Sequence, residues 1–189
     1  VTGIDIDAGA VYFAKKSFDR KNLHFHIGDA MNLQFSDNTF DVVICSQIYE
    51  HVPNAKKMID EIFRVLKPGG VCYFAASTRF MWNEPHYNLP LLSAIPRPLA
   101  HCYIRMFGKA NFYHELHFSF WRLRKLVENF EIVDYTIRII QKPDKFGLSY
   151  MLLPGTYKTR LAKLIATHVY WLVPGYIWLL QKPRKYDVE

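Results

Sequence analysis

FDVVICSQIYEHVPNAKKMIDEIFRVLKPGG, residues 40–70, decides the fold of this chain. Val42-Val43-Ile44-Cys45 is short enough for a strand and too apolar for an edge strand open to water. A polar loop follows over residues 46–54. Ala55, Met58, Ile59, Ile62, Phe63 and Leu66 then recur at steps of three and four, one face of an amphipathic helix. Lys56, Lys57, Asp60, Glu61 and Arg64 fill the other face. Lys67-Pro68-Gly69-Gly70 stops the helix, and residues 71–76 begin a second apolar strand. Strand, helix, strand at this spacing is a βαβ unit with parallel strands. In an open α/β sheet the ligand lies beyond the carboxyl ends of the strands, here the loop of residues 45–51.

Upstream, residues 1–5 read as a short strand ending in Asp5. A helix is predicted over residues 9–16, and an alternating strand over 23–27 runs into Gly28-Asp29-Ala30. Three predicted strand ends therefore each carry a polar group: Asp5, Asp29 and Ser46. A carboxylate at a strand's carboxyl end can accept both hydroxyls of a ribose. Any one of these residues alone reads better as a turn or helix cap. The three in this order and spacing form a pattern.

Over residues 1–76 the chain resembles the class I S-adenosylmethionine-dependent methyltransferases, in particular the small-molecule type that includes ubiquinone and menaquinone methylases. The carriers are VTGIDID (residues 1–7), GDAMNLQFSDNTFDVVICS (28–46) and EHVPNAKKMIDEIFRVLKPGG (50–70). The resemblance implies a Rossmann-like α/β sheet with helices on both faces and S-adenosylmethionine as cofactor. It assigns Asp5 to the ribose hydroxyls, Ile6 to packing on the adenine, and Asp29 to the adenine amino group, with Ala30 beside it. Ser46 and Gln47 would line the methionine end. Glu50 and His51 match a common pair of the family that faces the transfer site or holds the loop. The family's glycine-rich loop and first, central strand should precede Asp5 by about twenty residues. They are missing from the stretch given. The expectation is an incomplete cofactor site, weak cofactor binding, and a homo-oligomer contact that compensates for the central strand.

The 189 residues are half hydrophobic, enough for one domain with a real core. We divide it into a cofactor-side core (1–76), an insertion (77–118) and a C-terminal completion of the sheet (119–189). Three unpatterned cysteines point to a reducing compartment, hence the cytoplasm, and to no disulfide framework. The net charge of +7 is dispersed. Its densest cluster, Arg122, Arg124 and Lys125, lies on a predicted helix and reads as a solvated face, so nucleic-acid binding has no motif behind it.

Residues 77–118 lose the clean pattern. Pro85, Pro90, Pro96 and Pro98 forbid one long helix, and a short helix fits over 99–107. The segment leaves a strand's carboxyl end, so it should fold over the ligand site as a lid that selects the acceptor. His51 is the first candidate base for the transfer, with a loop-ordering hydrogen bond as its alternative role, and His86 the second. Tyr87, His114 and His117 are candidate substrate contacts. His114-Glu115-Leu116-His117 lacks zincin spacing and implies no third ligand, so no metal is expected.

Ser119 reads as the N-cap of a helix over 120–129; Val133, Tyr135, Ile137 and Ile139 alternate as a strand; 157–172 reads as helix and 176–181 as a last strand. The last two strands should form an antiparallel pair at one edge of the sheet. Residues 164–180 carry no Lys, Arg, Asp or Glu, but Pro174-Gly175 interrupts the run, which favours a buried helix and strand over a membrane span. Peripheral membrane docking through the 157–172 helix stays open. The leading reading is methyl transfer to a small or lipid-like acceptor. The alternatives are an RNA or protein methyltransferase, and a non-catalytic methyltransferase-like binding protein or inactive fragment.

Overall fold

The computed structural model describes residues 1–184. Its elements run β1 (Thr2–Asp5), α1 (Ala8–Ser17), β2 (His24–Ile27), β3 (Phe40–Ser46), α2 (Ala55–Val65) and β4 (Leu66–Ser77). The insertion holds a hairpin, β5 (Asn83–Glu84) and β6 (Leu89–Pro90), then α3 (Arg97–Met106). The chain ends with α4 (Phe120–Leu126), β7 (Glu131–Asp134), α5 (Thr136–Gln141), α6 (Tyr157–His168) and β8 (Gly175–Gln181).

The sheet order is β3-β4-β8-β7, and β3 and β4 are parallel as the βαβ reading requires. β8 is antiparallel to both β4 and β7, which puts β7 at the edge. Strand alternation sends Cys45, Cys72, Phe74, Ala76, Tyr176, Trp178 and Leu180 to one face. There they pack with Met58, Ile59 and Ile62 of α2 and with Leu123, Leu126 and Val127 from the α4 region. Truncating a fully buried member such as Met58 or Leu123 to alanine would cost about 2–5 kcal/mol. Asn54 starts α2 by accepting the Lys57 N–H at 3.0 Å. Gly69 takes φ +79°, and a Cβ on Gly70 would stand 2.9 Å from the Lys67 carbonyl oxygen. Both glycines are therefore required where α2 turns into β4 and the register with β3 shifts.

Four sequence expectations are corrected. β3 is an edge strand, because among the described residues its only hydrogen-bonded neighbour is β4, and Val42 and Ile44 are 59% and 75% exposed on the face opposite the core. β1 and β2 pair in parallel as a separate two-stranded sheet and do not join β3 directly. The family resemblance puts its central strand between these two sheets. Next, the strand predicted through Ile139 stops at Asp134. The Asp134 carboxylate accepts the Thr136 N–H at 2.8 Å, which turns the chain into α5, and Thr136 and Ile140 are buried at helical spacing. The same carboxylate takes hydrogen bonds from Trp178 and Tyr170, so it is held in place by β8 and its approach. Finally, Ser119 occupies the N-cap position of α4 without a capping hydrogen bond from its side chain, and α4 ends at Leu126. α6 likewise ends at His168, and a short 3₁₀ turn covers Tyr170–Leu172. Among the described residues, no helix is long and apolar enough to cross a membrane.

Residues 78–118 leave and rejoin the sheet at one point: Thr78 bridges Phe118, and the Arg79 N–H donates to the Phe118 carbonyl at 3.1 Å. The insertion has a small core of its own in Leu89, Leu92, Ala100, Ile104 and Tyr113. Pro96 and Pro98 fit the start of α3, where a missing N–H leaves no helical bond unmade.

The loop before β3 is held by α2. Glu61 accepts the Leu33 N–H at 2.7 Å and pairs with Arg64, which also donates to the carbonyls of Leu33 and Phe35. The Arg64 hydrogen bond holds the Glu61 carboxyl below the usual carboxylate range against the opposing effect of burial, and Leu33 adds to this. A depressed carboxyl stabilises the fold above its unfolded pKa and stops doing so as pH falls through the folded value. Glu61→Gln should therefore lower stability by about 1 kcal/mol at pH 7 in urea unfolding, and the difference from wild type should shrink below pH 4 or so.

Candidate functional site

The carboxyl ends of β1, β2 and β3 carry the residues that the family resemblance assigns to the cofactor. Asp5 is exposed, and one carboxylate oxygen accepts the Asp7 N–H at 2.9 Å. The resemblance assigns this carboxylate to the ribose hydroxyls. Ile6 beside it is 72% exposed, an apolar surface available to a base. Asp7 caps α1 through Gly9 and Ala10, which fixes the turn after Asp5. Asp29 is half-buried and its carboxylate accepts the Met31 N–H at 2.8 Å. Ala30 packs against the main core. These groups fit a nucleoside: two carboxylates at strand ends, each ordered by a backbone N–H and each with an oxygen left over.

Ser46 is exposed at the end of β3. Gln47 takes φ +54°, a left-handed conformation that costs a non-glycine residue about 1–2 kcal/mol. Its N–H donates to the Ala75 carbonyl at 2.9 Å and its side-chain oxygen accepts from the Ser77 hydroxyl at 2.5 Å. Gln47 thus clasps the ends of β3 and β4 together and redirects the chain inward. Two residues later the fully buried Tyr49 donates its hydroxyl to the Ser77 carbonyl at 2.6 Å and accepts the Phe118 N–H at 3.0 Å.

The next residues reach a cluster of carboxylates and imidazoles. Glu50 is 3% exposed and one of its oxygens has no hydrogen-bond partner. Burial pushes its carboxyl above the usual range, while its backbone N–H and the imidazoles of His117, His51 and His86 pull the other way. His51 is exposed, with its ring edge-to-face against His86 at 4.9 Å. His86 sits in the β5–β6 turn with Nδ1 2.6 Å from the fully buried carboxylate of Glu84. The other Glu84 oxygen accepts the Tyr87 N–H at 2.9 Å. Burial alone would raise the Glu84 carboxyl, but the His117 and His86 imidazoles and the Tyr87 N–H outweigh it and leave it below its ordinary value. Desolvation likewise opposes a charge on His86, and the Glu84 partner overcomes it, so the imidazole is raised. The His117 ring is 1% exposed and 3.7 Å from Glu84, beyond hydrogen-bond reach, and both of its nitrogens lack a partner. A buried polar group left unpaired costs about 1–3 kcal/mol.

Of the residues singled out in the sequence, the fold brings His51, His86 and His117 into this cluster and places Tyr87 at its rim against Tyr113. It leaves His114 exposed, with its ring against Phe112 and its carbonyl accepting from Arg97. Glu84 and Glu115 were not candidates, yet they are the anionic half of the cluster together with Glu50. The signal for Glu84 was the Glu-Pro-His spacing, which sets a carboxylate two residues from an imidazole across a turn. A separate groove of about 350 Å³ is lined by Tyr49, Pro53, Leu116, Phe118, Arg122 and Lys125. It includes none of Asp5, Asp29, His51 or His86, so it is distinct from the strand-end site.

The comparison with known proteins bears on the fold and the family. Residues 1–74 match the family model described as "Methyltransferase domain". The chain is 30% identical over 122 residues to a ubiquinone/menaquinone biosynthesis C-methyltransferase of Desulfotalea psychrophila, covering 60% of this chain and 50% of that protein. Over 60 residues it is 47% identical to a sterol 24-C-methyltransferase of Schizosaccharomyces pombe, covering 32% of this chain and 16% of that one. A solved S-adenosylmethionine-dependent methyltransferase from Methanosarcina mazei superposes with a TM-score of 0.59 at 20% identity, covering 98% of this chain and 82% of that one. The fold is thus the Rossmann-like methyltransferase fold. Residues 1–74, about two fifths of the chain, are similar to the S-adenosylmethionine-dependent methyltransferases that act on small molecules. The chain spans half or less of the length of the two curated relatives it matches.

Tyr49 tests the geometry of the site loop. Tyr49→Phe removes the acceptor of the buried Phe118 N–H and the donor to Ser77, with almost no change in shape. Denaturant unfolding should show a loss of about 1–3 kcal/mol. A loss below a few tenths would mean that the hydroxyl does not hold the insertion to the sheet.

Proposed function

We propose that the protein carrying this chain transfers a methyl group from S-adenosylmethionine to a small or lipid-like acceptor, with the acceptor held between the ends of β3 and β4 and the insertion. The observation that carries this reading is the proximity of the His51–His86 pair, backed by the buried Glu84, to the loop that follows β3. The bound cofactor supplies an electrophilic methyl on a sulfonium, which passes to the acceptor as the sulfur–carbon bond breaks and the acceptor–carbon bond forms.

The chain's own residues have three tasks in this reading. Asp5 and Asp29 fix the nucleoside half, and with it the direction of attack; alignment supplies much of the rate of such a displacement. The insertion covers the site and limits water. His86 is held by Glu84 through Nδ1, so Nε2 points outward to take the proton that the acceptor loses. Glu84 favours the imidazolium that results. The apolar wall comes from the aromatic-rich insertion, where Tyr87 and Tyr113 stack edge to face at 5.6 Å. That wall and the relatives named as quinone and sterol methyltransferases favour a hydrophobic acceptor over RNA.

Two measurements on the full-length protein test the reading. Asp5→Ala removes an anionic acceptor of the ribose and should weaken S-adenosylmethionine about ten- to a hundredfold by calorimetry. His86→Ala should lower kcat by about a hundredfold or more with cofactor affinity unchanged, measured as transfer of labelled methyl to prenylated quinone precursors or sterols. Unchanged cofactor affinity in Asp5→Ala would remove the strand end from the site. Full turnover in His86→Ala would remove the imidazole from the chemistry.

A further inference from the structure

We infer that His51, His86 and Glu115 bind a divalent transition-metal ion of the zinc or ferrous class. One ligand atom from each lies within 4.8 Å of the other two. Ligands on a tetrahedral zinc stand about 3.4 Å apart at bond lengths near 2.1 Å, so small side-chain rotations close the site. His51 is exposed and free to make that adjustment. The three residues come from separate places in the chain, the loop after β3, the β5–β6 turn and the segment before the Thr78–Phe118 bridge. The sequence showed no such set, because the His-Glu-Leu-His stretch contributes only its glutamate here.

Features around the three ligands point the same way. Metal-bound histidines usually give their second nitrogen to a carboxylate, and His86 already does so: Nδ1 faces Glu84 at 2.6 Å, which leaves Nε2 for the ion. One oxygen each of Glu50 and Glu115 is buried without a hydrogen-bond partner. The His117 side chain, 1% exposed, borders the Glu84 carboxylate at 3.7 Å with both nitrogens unpartnered. The carboxylates of Glu50, Glu84 and Glu115 thus lie among imidazoles, with Glu84 also accepting the Tyr87 N–H, and a dication or its water would satisfy the groups left over. Two nitrogens and one oxygen suit zinc, iron, cobalt or nickel and disfavour magnesium and calcium, which take oxygen ligands. Three protein ligands leave positions open for an acceptor oxygen.

This inference rests on the proposed reading for its chemistry alone, since an ion here would hold the acceptor oxygen and take over from the free His86 nitrogen. Its binding test does not depend on methyl transfer. The full-length protein, stripped with chelator, is titrated with Co²⁺ and then with Zn²⁺. One equivalent of Co²⁺ should give visible d–d absorption that Zn²⁺ abolishes. His51→Ala and Glu115→Gln should each weaken the ion tenfold or more, while His168→Ala, an exposed histidine on α6, should bind as wild type does. Thermal melting without metal checks that each variant folds, and Glu115→Gln keeps the side chain's shape if His51→Ala fails to fold. Absence of the Co²⁺ spectrum, or a spectrum unchanged in Glu115→Gln, overturns the inference. Methyl transfer by the metal-stripped protein with no uptake of metal overturns it while leaving the proposed function standing. Metal binding without methyl transfer does the reverse.

Discussion

The hydroxyl of Tyr49 is the joint on which the architecture around the site depends. It bonds the last carbonyl of β4 and the N–H of Phe118, where the insertion returns to the sheet. Burial drives the phenol well above its ordinary pKa and offsets the Phe118 hydrogen bond, so it stays neutral and can donate and accept at once. Glu50 and His51 follow directly in the chain. Their position relative to the β5–β6 turn is therefore held by this side chain, which touches both the sheet and the insertion, and by the Leu116 N–H, which donates to the Glu50 carbonyl at 3.1 Å. Phe74 and Phe118 pack on the Tyr49 ring and tie that joint to the main core.

The core beneath it is one-sided. α2, α4 and the α5–α6 region bury one face of the four-stranded sheet, while Val42 and Ile44 are exposed on the other. β3 also has an open edge, and the β1–β2 pair stands apart from it. Both features fall where the methyltransferase resemblance puts a central strand and its cover. The strand-end carboxylates still keep their local order, because Asp5 and Asp29 are each fixed by a backbone N–H two residues on. Short-range turns order these two carboxylates independently of the sheet's width.

The insertion carries structure of its own. Proline placement and its own apolar cluster give it fixed structure, and its hairpin buries a complete carboxylate. Glu84 stays ionised in that setting because imidazoles and a backbone N–H surround it. A buried anion with partners holds its neighbours in one orientation, which is what a site that handles protons or binds an ion requires.

The sequence by itself determined the βαβ unit, the amphipathic helix α2, the parallel pairing of β3 and β4, and the strand-end positions of Asp5, Asp29 and Ser46. All of these follow from local periodicity and from turns closed within a few residues. It also pointed to His51 and His86 one at a time. Only the tertiary structure decided that they meet, and that Glu84, Glu115 and His117 join them, because those contacts span up to about seventy residues of an aperiodic, proline-broken segment. It also decided that the strand predicted through Ile139 ends at Asp134. Alternation there competes with a carboxylate that bonds the N–H two residues on and turns the chain into α5, and the pairing with β8 ends at the same residue.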